Sequence, residues 1–405
     1  VRPFERTIPI EEALARLEQA ARPVDRVETV PLEAAAGRVL AAAVRAERDV
    51  PPFDRAAMDG YAVRAADTAG ATPEHPAVLI CRGAAYAGET AQLRVDPGTA
   101  VAIATGAPVP PGADAVVMVE QTSLEEGGAR VRVHAEAQPG QHIGRRGSDI
   151  AAGELVIDPG ELLTPARVGA LAAVGRARVE VYARPLVFLA STGDEIVEPG
   201  RPLAPGRIYD INRYTLAAVI AAHGGEPIAS DPAADSIAAL RAVLDRAEAD
   251  GADLIVLSGG SSVGDRDLMV DAAAGRGEVI FHGLAVKPGK PTLLARLGTR
   301  LLLGMPGNPT SCLSNAYLLL VPLLRRLARL PPWRPERRTL PLARPIVSRA
   351  GRHTFFSVRI ENGQVVPAFK GSGDITSLAR ADGYIEIPAA VERIEAGTPV
   401  TVTFF

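Results

Sequence analysis

The sequence predicts a multidomain chain in which an α/β unit is joined to β-rich segments. Three observations carry this. From Arg184 to about Ala328, strand-like apolar runs alternate with helical stretches, the pattern of a central parallel α/β sheet. From about Val27 to Val181, short apolar runs such as Ala77–Ile80 and Ala115–Val119 alternate with Gly and Pro, which is β-rich texture with many turns. After a linker at Pro331-Pro332-Trp333-Arg334-Pro335, the last ~70 residues return to short alternating strands, the size of a small domain.

In chain order, Ile8 to about Ala21 reads as an amphipathic helix, with Pro9 suited to its start. In the α/β part, strands are predicted at Pro185–Ala190, near Pro227–Ala229, at Asp253–Leu257, at Glu278–Phe281 and at Leu301–Leu303. Helices are predicted at Asn212–Ala222, Ser236–Glu248, Asp267–Ala274 and from Pro309 to about Ala328. The sequence has no internal repeat.

Composition narrows the function. A chain of 405 residues with net charge −3 is no general nucleic-acid binder. Two cysteines, Cys81 and Cys312, exclude a disulfide scaffold or a Cys-rich zinc site and fit a reducing cytoplasm. No apolar run reaches the ~18 residues of a membrane span, and the N-terminal segment carries charges where a signal peptide is apolar. Among 44 basic side chains, lysine occurs only at Lys287, Lys290 and Lys370. Coding bias accounts for the arginine excess but not for where the lysines fall.

Three polar, Gly-rich segments each follow a predicted buried strand: Ser191-Thr192-Gly193-Asp194-Glu195, Ser258–Asp267, and Gly304-Met305-Pro306-Gly307-Asn308-Pro309-Thr310-Ser311. Open α/β sheets bind ligands at the carboxyl ends of their strands, so the three point at one site. In the middle segment, glycines bring backbone N–H groups close to an anion, serines add hydroxyls and a helix start follows. Asp265 and Asp267 would repel a bare phosphate and make sense with a bridging divalent cation. The plain alternative is a tight turn capped by Asp267. Asn308 and Pro309 suit the first positions of a helix, a role sufficient by itself. Lys287 and Lys290 enclose Pro288-Gly289, with Pro291 after, so a rigid turn holds two point charges suited to a tetrahedral oxyanion. In the β-rich part, the segments around Asp59-Gly60, Thr105-Gly106 and Arg145–Ile150 also read as ordinary turns and solvated charge.

Taken together, PPFDRAAMDGYAVR, IATGAPVPPGADAVV, GSDI, STGDEI, SGGSSVGDRD, VKPGKP and GMPGNPTS occur in the order found in the molybdopterin molybdenumtransferase family. The same order occurs in the C-terminal domain of gephyrin. The resemblance runs from about residue 7 to 390. It implies an α/β molybdopterin-binding domain of residues 1–24 and 183–330, a β-rich linking domain of 25–48 and 141–182, a β-rich domain of 49–140 and a C-terminal β-barrel of 331–405. It also implies an elongated homodimer whose site lies between the α/β domain and domains of the partner subunit.

The implied reaction inserts molybdate into adenylylated molybdopterin, hydrolyses the pyrophosphate bond and releases AMP. By motif position, Asp59, Asp149, Glu195, Asp267, Lys287 and Lys290 are implied as catalytic. Thr105, Ser191, Thr192, Gly259, Gly260, Ser261, Ser262, Gly264, Asp265, Pro291, Pro306, Asn308, Pro309, Arg352 and Ser372 are implied as substrate-binding. Glu195, Asp231 and Asp267 are implied as Mg²⁺ ligands, with Asp235 close to Asp231 in the chain. Gly283 stands where some members carry a basic residue, and Lys370 is not required by the match. Implied partners are molybdopterin adenylyltransferase and molybdoenzymes or cofactor carriers. Two other readings are an adenylyltransferase sharing the α/β domain and a non-catalytic dimeric scaffold of the gephyrin type.

Overall fold

The computed structural model describes residues 7–89, 92–259, 268–348 and 350–405. The chain divides into two compact units. One combines the N-terminal segment to Glu28 with Gly37–Val39 and Glu180–Phe405, and the other comprises Thr29–Ala36 and Leu40–Val179.

The first unit begins with helix α1 (Ile10–Ala20), whose Ile10, Ala13, Leu17 and Ala20 are buried at helical spacing. Its sheet is built from β1 (Leu186–Ser191), β2 (Glu226–Ala229), β3 (Leu254–Ser258), β4 (Glu278–His282), β6 (Leu293–Leu297) and β7 (Arg300–Met305). Between β4 and β6 lies the two-residue strand β5 (Val286–Lys287), which belongs to another sheet. The spatial order is β2-β1-β3-β7-β6-β4. Strands β2, β1, β3 and β7 pair in parallel, while β6 runs antiparallel to both β7 and β4.

The sheet is therefore mixed rather than parallel throughout. The reason is local: only Gly298 and Thr299 separate β6 from β7, with Gly298 at φ +60°, and so short a loop can join only antiparallel neighbours.

Strand β3 is buried along its whole length, and the side chains of β1, β3 and β7 alternate between two cores. Val187, Leu189, Leu254, Val256, Leu301 and Leu303 face the core that holds α1, helix α2 (Asn212–Ala222) and the helical run after β7. Phe188, Ala190, Ile255, Leu257 and Leu302 face the core under α3 (Ile237–Ala249) and α4 (Leu268–Ala273). The helical run predicted from Pro309 starts with α5 (Pro309–Asn315), widens to a π-helix over Ala316–Leu320 and resumes as α6 (Val321–Leu327). Pro322 explains the widening, because it supplies no N–H and its ring crowds the preceding turn.

The C-terminal strands are β8 (Arg337–Pro341), β9 (His353–Glu361), β10 (Gln364–Pro367), β11 (Gly383–Ile387) and β12 (Pro399–Phe404). They pair in the order β10-β9-β11-β12-β8, and a bridge from Leu342 to Val365 returns β8 to β10. This closes a small barrel around Leu342, Val358, Val365, Ile385, Ile387 and Val402. Strand β5 adds to the barrel edge, with Val286 opposite His353 and Lys287 opposite Thr354 in parallel register.

The second unit is built on a six-stranded sheet ordered Ala115–Met118, Gly60–Val63, Thr99–Ile103, Ala77–Ala85, Arg130–Val133 and Thr122–Glu125. Side chains on its two faces fill separate cores, one around Val63, Leu79, Val117 and Val131 and one around Ala62, Val101, Ile103 and Val116. The β-rich texture of this region is what the sequence predicts.

Leu303 sits fully buried in the centre of the mixed sheet. Leu303→Ala is expected to lower unfolding stability by about 2–5 kcal/mol in urea titrations. A loss below about 1 kcal/mol would show that this core is not close-packed.

Candidate active site

The register of the central strands decides where the loops meet. Ser191, the last residue of β1, lies opposite Ser258, the last residue of β3, and Ser258 lies opposite Met305, the last residue of β7. The three Gly-rich segments thus leave the sheet at one level. They are laced together at once: Thr192 N donates to Ser258 O at 2.7 Å, and Gly259 N donates to Met305 O at 3.2 Å. Gly259 has φ +99°, and a Cβ there would lie 2.1 Å from Thr192 O, so only glycine lets the backbones pass this closely.

A cavity of about 1170 Å³ opens over these strand ends. Of the residues expected in a site, Ser191, Thr192, Glu195, Gly259, Lys287, Lys290, Pro291, Pro306, Asn308, Pro309, Arg352 and Ser372 all line it. Gly260, Ser261, Ser262, Gly264, Asp265 and Asp267 lie outside the described residues.

The lysine turn is fixed from beneath. Asn315, at the end of α5 and fully buried, donates through Nδ2 to Gly289 O at 2.8 Å and to Thr292 Oγ1 at 2.7 Å. Thr292 Oγ1 itself donates to Gly289 O at 3.0 Å. Gly289 has φ +108°, and a Cβ there would stand 2.4 Å from Asn315 Nδ2. The turn is also fixed from the side, because Lys287, like Val286, is paired with the barrel.

The barrel closes the cavity with its own loop. Thr310 N donates to Ser372 O at 3.0 Å, and Thr310 Oγ1 donates to Asp374 O at 2.8 Å. Asn308 occupies the cap position of α5 but makes no side-chain cap bond. Its Nδ2 donates instead to Ser372 Oγ at 3.2 Å. Lys370 is absent from the cavity wall; its Nζ donates to Thr376 Oγ1 at 3.3 Å on the exposed side of the loop.

The floor holds residues that the sequence did not single out. Asp210 is 3% exposed and accepts at Oδ1 from Ser191 Oγ at 2.8 Å and from Arg213 N at 3.0 Å. Ser191 Oγ is also 3.2 Å from Ser258 Oγ. Asn212 Nδ2 donates to Gly307 O at 2.8 Å, tying the third loop to α2. Tyr209 and Phe369 add aromatic surface to the wall. An aspartate just before a helix is an ordinary cap signal, which is why Asp210 and Asn212 carried no functional mark in the sequence.

The two neighbouring acids are placed differently. Asp235, and not Asp231, lines the cavity. Asp231 is exposed just after the end of β2, whereas Asp235 N is held by Asp194 Oδ1 at 3.2 Å. The Asp235 carboxyl is pushed above the usual carboxylate range, first by lost hydration and then by the Glu195 and Asp194 carboxylates.

The remaining expected residues belong to the second unit. Thr105 donates to Asp59 Oδ1 from its backbone N at 2.7 Å and from Oγ1 at 2.9 Å. These bonds, the backbone one first, hold the Asp59 carboxyl below its usual range. Asp149 is exposed, and its N donates to Val50 O at 3.0 Å. The loop before it is anchored by Asp54, which accepts from Arg146 N at 2.8 Å and from Arg145 Nη1 at 2.7 Å.

Glu195→Gln removes one of the charges that repel Asp235. The Asp235 pKa is expected to fall toward its ordinary value while staying above it, since lost hydration remains. Carboxyl-carbon NMR titration reads this directly, and an unmoved Asp235 would separate the two groups electrostatically.

Comparison with known proteins agrees along the whole chain. Residues 8–175 match the family described as MoeA N-terminal region (domain I and II). Residues 189–326 match the probable molybdopterin binding domain, and residues 339–405 match the MoeA C-terminal region (domain IV). Molybdopterin molybdenumtransferase 2 of Mycobacterium tuberculosis is 40% identical, with 97% of each chain covered. The molybdopterin molybdenumtransferase of Haemophilus influenzae is 35% identical, with 96% of each covered. The crystal structure of the molybdopterin biosynthesis MoeA protein from Pyrococcus horikosii superposes with a TM-score of 0.83 at 39% identity, covering 98% of this chain and 99% of that one. With a cavity built by the family's motifs and relatives alike from end to end, the chain belongs to the molybdopterin molybdenumtransferase (MoeA) family.

Proposed function

We propose that this protein inserts molybdate into adenylylated molybdopterin and releases AMP; the transfer of molybdenum to molybdopterin is what the names of its relatives state. The observation that carries the reading is that Lys287, Lys290, Arg352 and Ser372 line the same cavity as the three strand-end loops. A tetrahedral dianion needs positive charge and several donors converging from different directions. A rigid lysine turn, a guanidinium and a serine from the barrel supply both. The two thiol groups of the substrate's dithiolene form two Mo–S bonds and pass their protons to one oxide of molybdate, whose bond to molybdenum breaks as it leaves as one water. The protein therefore needs no thiolate ligands, consistent with Cys312 being buried and its thiol pushed up by burial. Water attacks one phosphorus of the pyrophosphate, the bridging P–O bond breaks, and AMP departs.

A divalent cation fits the residues present. Among the described residues no cluster of three or more His, Cys, Asp or Glu side chains is arranged to hold a metal. Mg²⁺ does not need one: it keeps several waters and binds through one or two carboxylates together with substrate phosphates. Glu195 and Asp235 are two such carboxylates on the cavity wall, and their mutual repulsion is what a cation would relieve. Bound there, Mg²⁺ would neutralise charge on the pyrophosphate. The chain's own groups do the rest. The lysines hold the oxyanion, and Ser191, Ser258 and Gly259 shape the floor that positions the substrate.

Homodimer formation, a cytoplasmic location, the four-domain division and handover to molybdoenzymes or cofactor carriers belong to the same reading. They are supported by full-length similarity to biosynthetic relatives, and no helix among the described residues is long and apolar enough to cross a membrane. Asp59, Thr105 and Asp149 are proposed to serve the reaction on the strength of their family positions.

The reading is tested by incubating the protein with adenylylated molybdopterin, molybdate and Mg²⁺ and following AMP. AMP release that requires molybdate and stops with a chelator is expected. Lys287→Ala and Lys290→Ala should each cut kcat/KM for molybdate by roughly 10²-fold, the scale for losing one pre-organised charge donor. Their unfolding midpoints should stay close to the parent's. Parental rates in either variant at limiting molybdate would remove the lysines from the site.

A further inference from the structure

We infer that Arg213 is the positioning residue that sets the separation of Glu195 and Asp235, and thereby the affinity of the cavity for a divalent cation. The inference rests on the cation reading above and adds a residue that does not line the cavity.

Glu195 and Asp235 stand on different segments. One leaves the end of β1 and returns to α2; the other joins β2 to α3. Both are largely exposed, and the first is held internally by a short parallel pairing of Ile196–Val197 with Ile208–Tyr209. The first is closed by Ile208 N donating to Glu195 O at 2.9 Å and Asp210 N donating to Val197 O at 2.9 Å. The second meets the first through Gly193 N donating to Ala233 O at 3.1 Å, Ala233 N donating to Ser191 O at 2.9 Å and Asp235 N donating to Asp194 Oδ1 at 3.2 Å. Two like charges repel, so the pair keeps one separation only as far as the bonds between the segments resist that repulsion.

Arg213 spans them. It is 8% exposed, near the start of α2. Its Nη2 donates to Glu198 Oε1 at 3.0 Å, close after Glu195, and also to Tyr214 Oη at 2.9 Å. Its Nη1 donates to Ser230 O at 3.0 Å, on the approach to Asp235. Its backbone N is fixed by Asp210 Oδ1 at 3.0 Å, so the guanidinium is referred to the cavity floor. A planar fork with donors at fixed angles holds two acceptors at one spacing, whereas lysine's single ammonium on a flexible stem does not.

The test measures metal binding without turnover. The signal of free Mn²⁺ is followed by electron paramagnetic resonance as the ion is titrated into protein, alone and with AMP. Arg213→Lys, Arg213→Gln and Glu198→Gln are compared with the parent and with Glu195→Gln. Partners that orient metal ligands typically change affinity by 10–100-fold, so half-saturation is expected to rise by about tenfold in the Arg213 variants. A smaller rise is expected for Glu198→Gln, which cuts one of the two ties. Molybdate affinity by calorimetry is expected to stay at the parental value, because the lysine turn is anchored elsewhere.

Parental Mn²⁺ affinity in folded Arg213→Lys and Glu198→Gln, with binding lost in Glu195→Gln, overturns this inference and leaves the cation reading standing. Proportional loss of Mn²⁺ and molybdate binding also overturns it, since that marks a general structural role. If the Arg213 variants do not fold, Glu198→Gln decides. A parent protein that binds no Mn²⁺ under either condition overturns the cation reading and the inference together.

Discussion

The site depends on the contact between a side-chain amide and a glycine. Asn315 reaches from the last turn of α5 to Gly289 O and Thr292 Oγ1, and it does so inside a fully buried pocket. The amide leaves no room for a Cβ at Gly289. Gly289 O accepts from both the Asn315 amide and the Thr292 hydroxyl, and losing the amide's bonds would leave its buried N–H groups unpaired at a cost of about 1–3 kcal/mol, which favours one position of the turn. Lys287 and Lys290 are carried on that turn. In the proposed function, the backbone that carries these charges is fixed before an anion arrives, which lowers the cost of ordering on binding.

What the turn faces is set by the sheet. Ser191, Ser258 and Met305 end their strands side by side because β1, β3 and β7 are parallel neighbours in matched register. Burial on both faces locks that register, since a shift by one residue would exchange the side chains of the two cores. The same positions explain how the barrel reaches the cavity. Strand β5 is at once the start of the lysine turn and an edge strand of the barrel sheet, and Ser372 is tied to α5. The cavity thus joins two substructures within a single compact unit.

Much of this was legible in the residues. Strand and helix alternation located the α/β part, and the polar segments after three strands located the cavity. The motif order gave the family. Other features were hidden for physical reasons. Strand β6 was missed because Leu293–Leu297 is short and joined to β7 by a two-residue turn that breaks the strand–helix rhythm. The widened turn at Ala316–Leu320 follows from Pro322, whose effect on a buried helix depends on tertiary packing. Asp231 and Asp235 are too close in sequence for spacing to separate them; only the fold shows which one meets the cavity. Asn308 looked like a cap and is spent on the barrel instead. The rarity of lysine pointed to Lys287 and Lys290, which line the cavity, whereas Lys370 bonds Thr376 outside it.

The central claim is that a pre-formed lysine turn makes the oxyanion pocket. Calorimetric titration of molybdate into Gly289→Ala tests it most directly, because the substitution leaves both lysines in place and disturbs only their support. The account predicts molybdate binding weakened by at least about tenfold, roughly 1.4 kcal/mol, in a protein that still unfolds cooperatively. Parental affinity in that folded variant would contradict it.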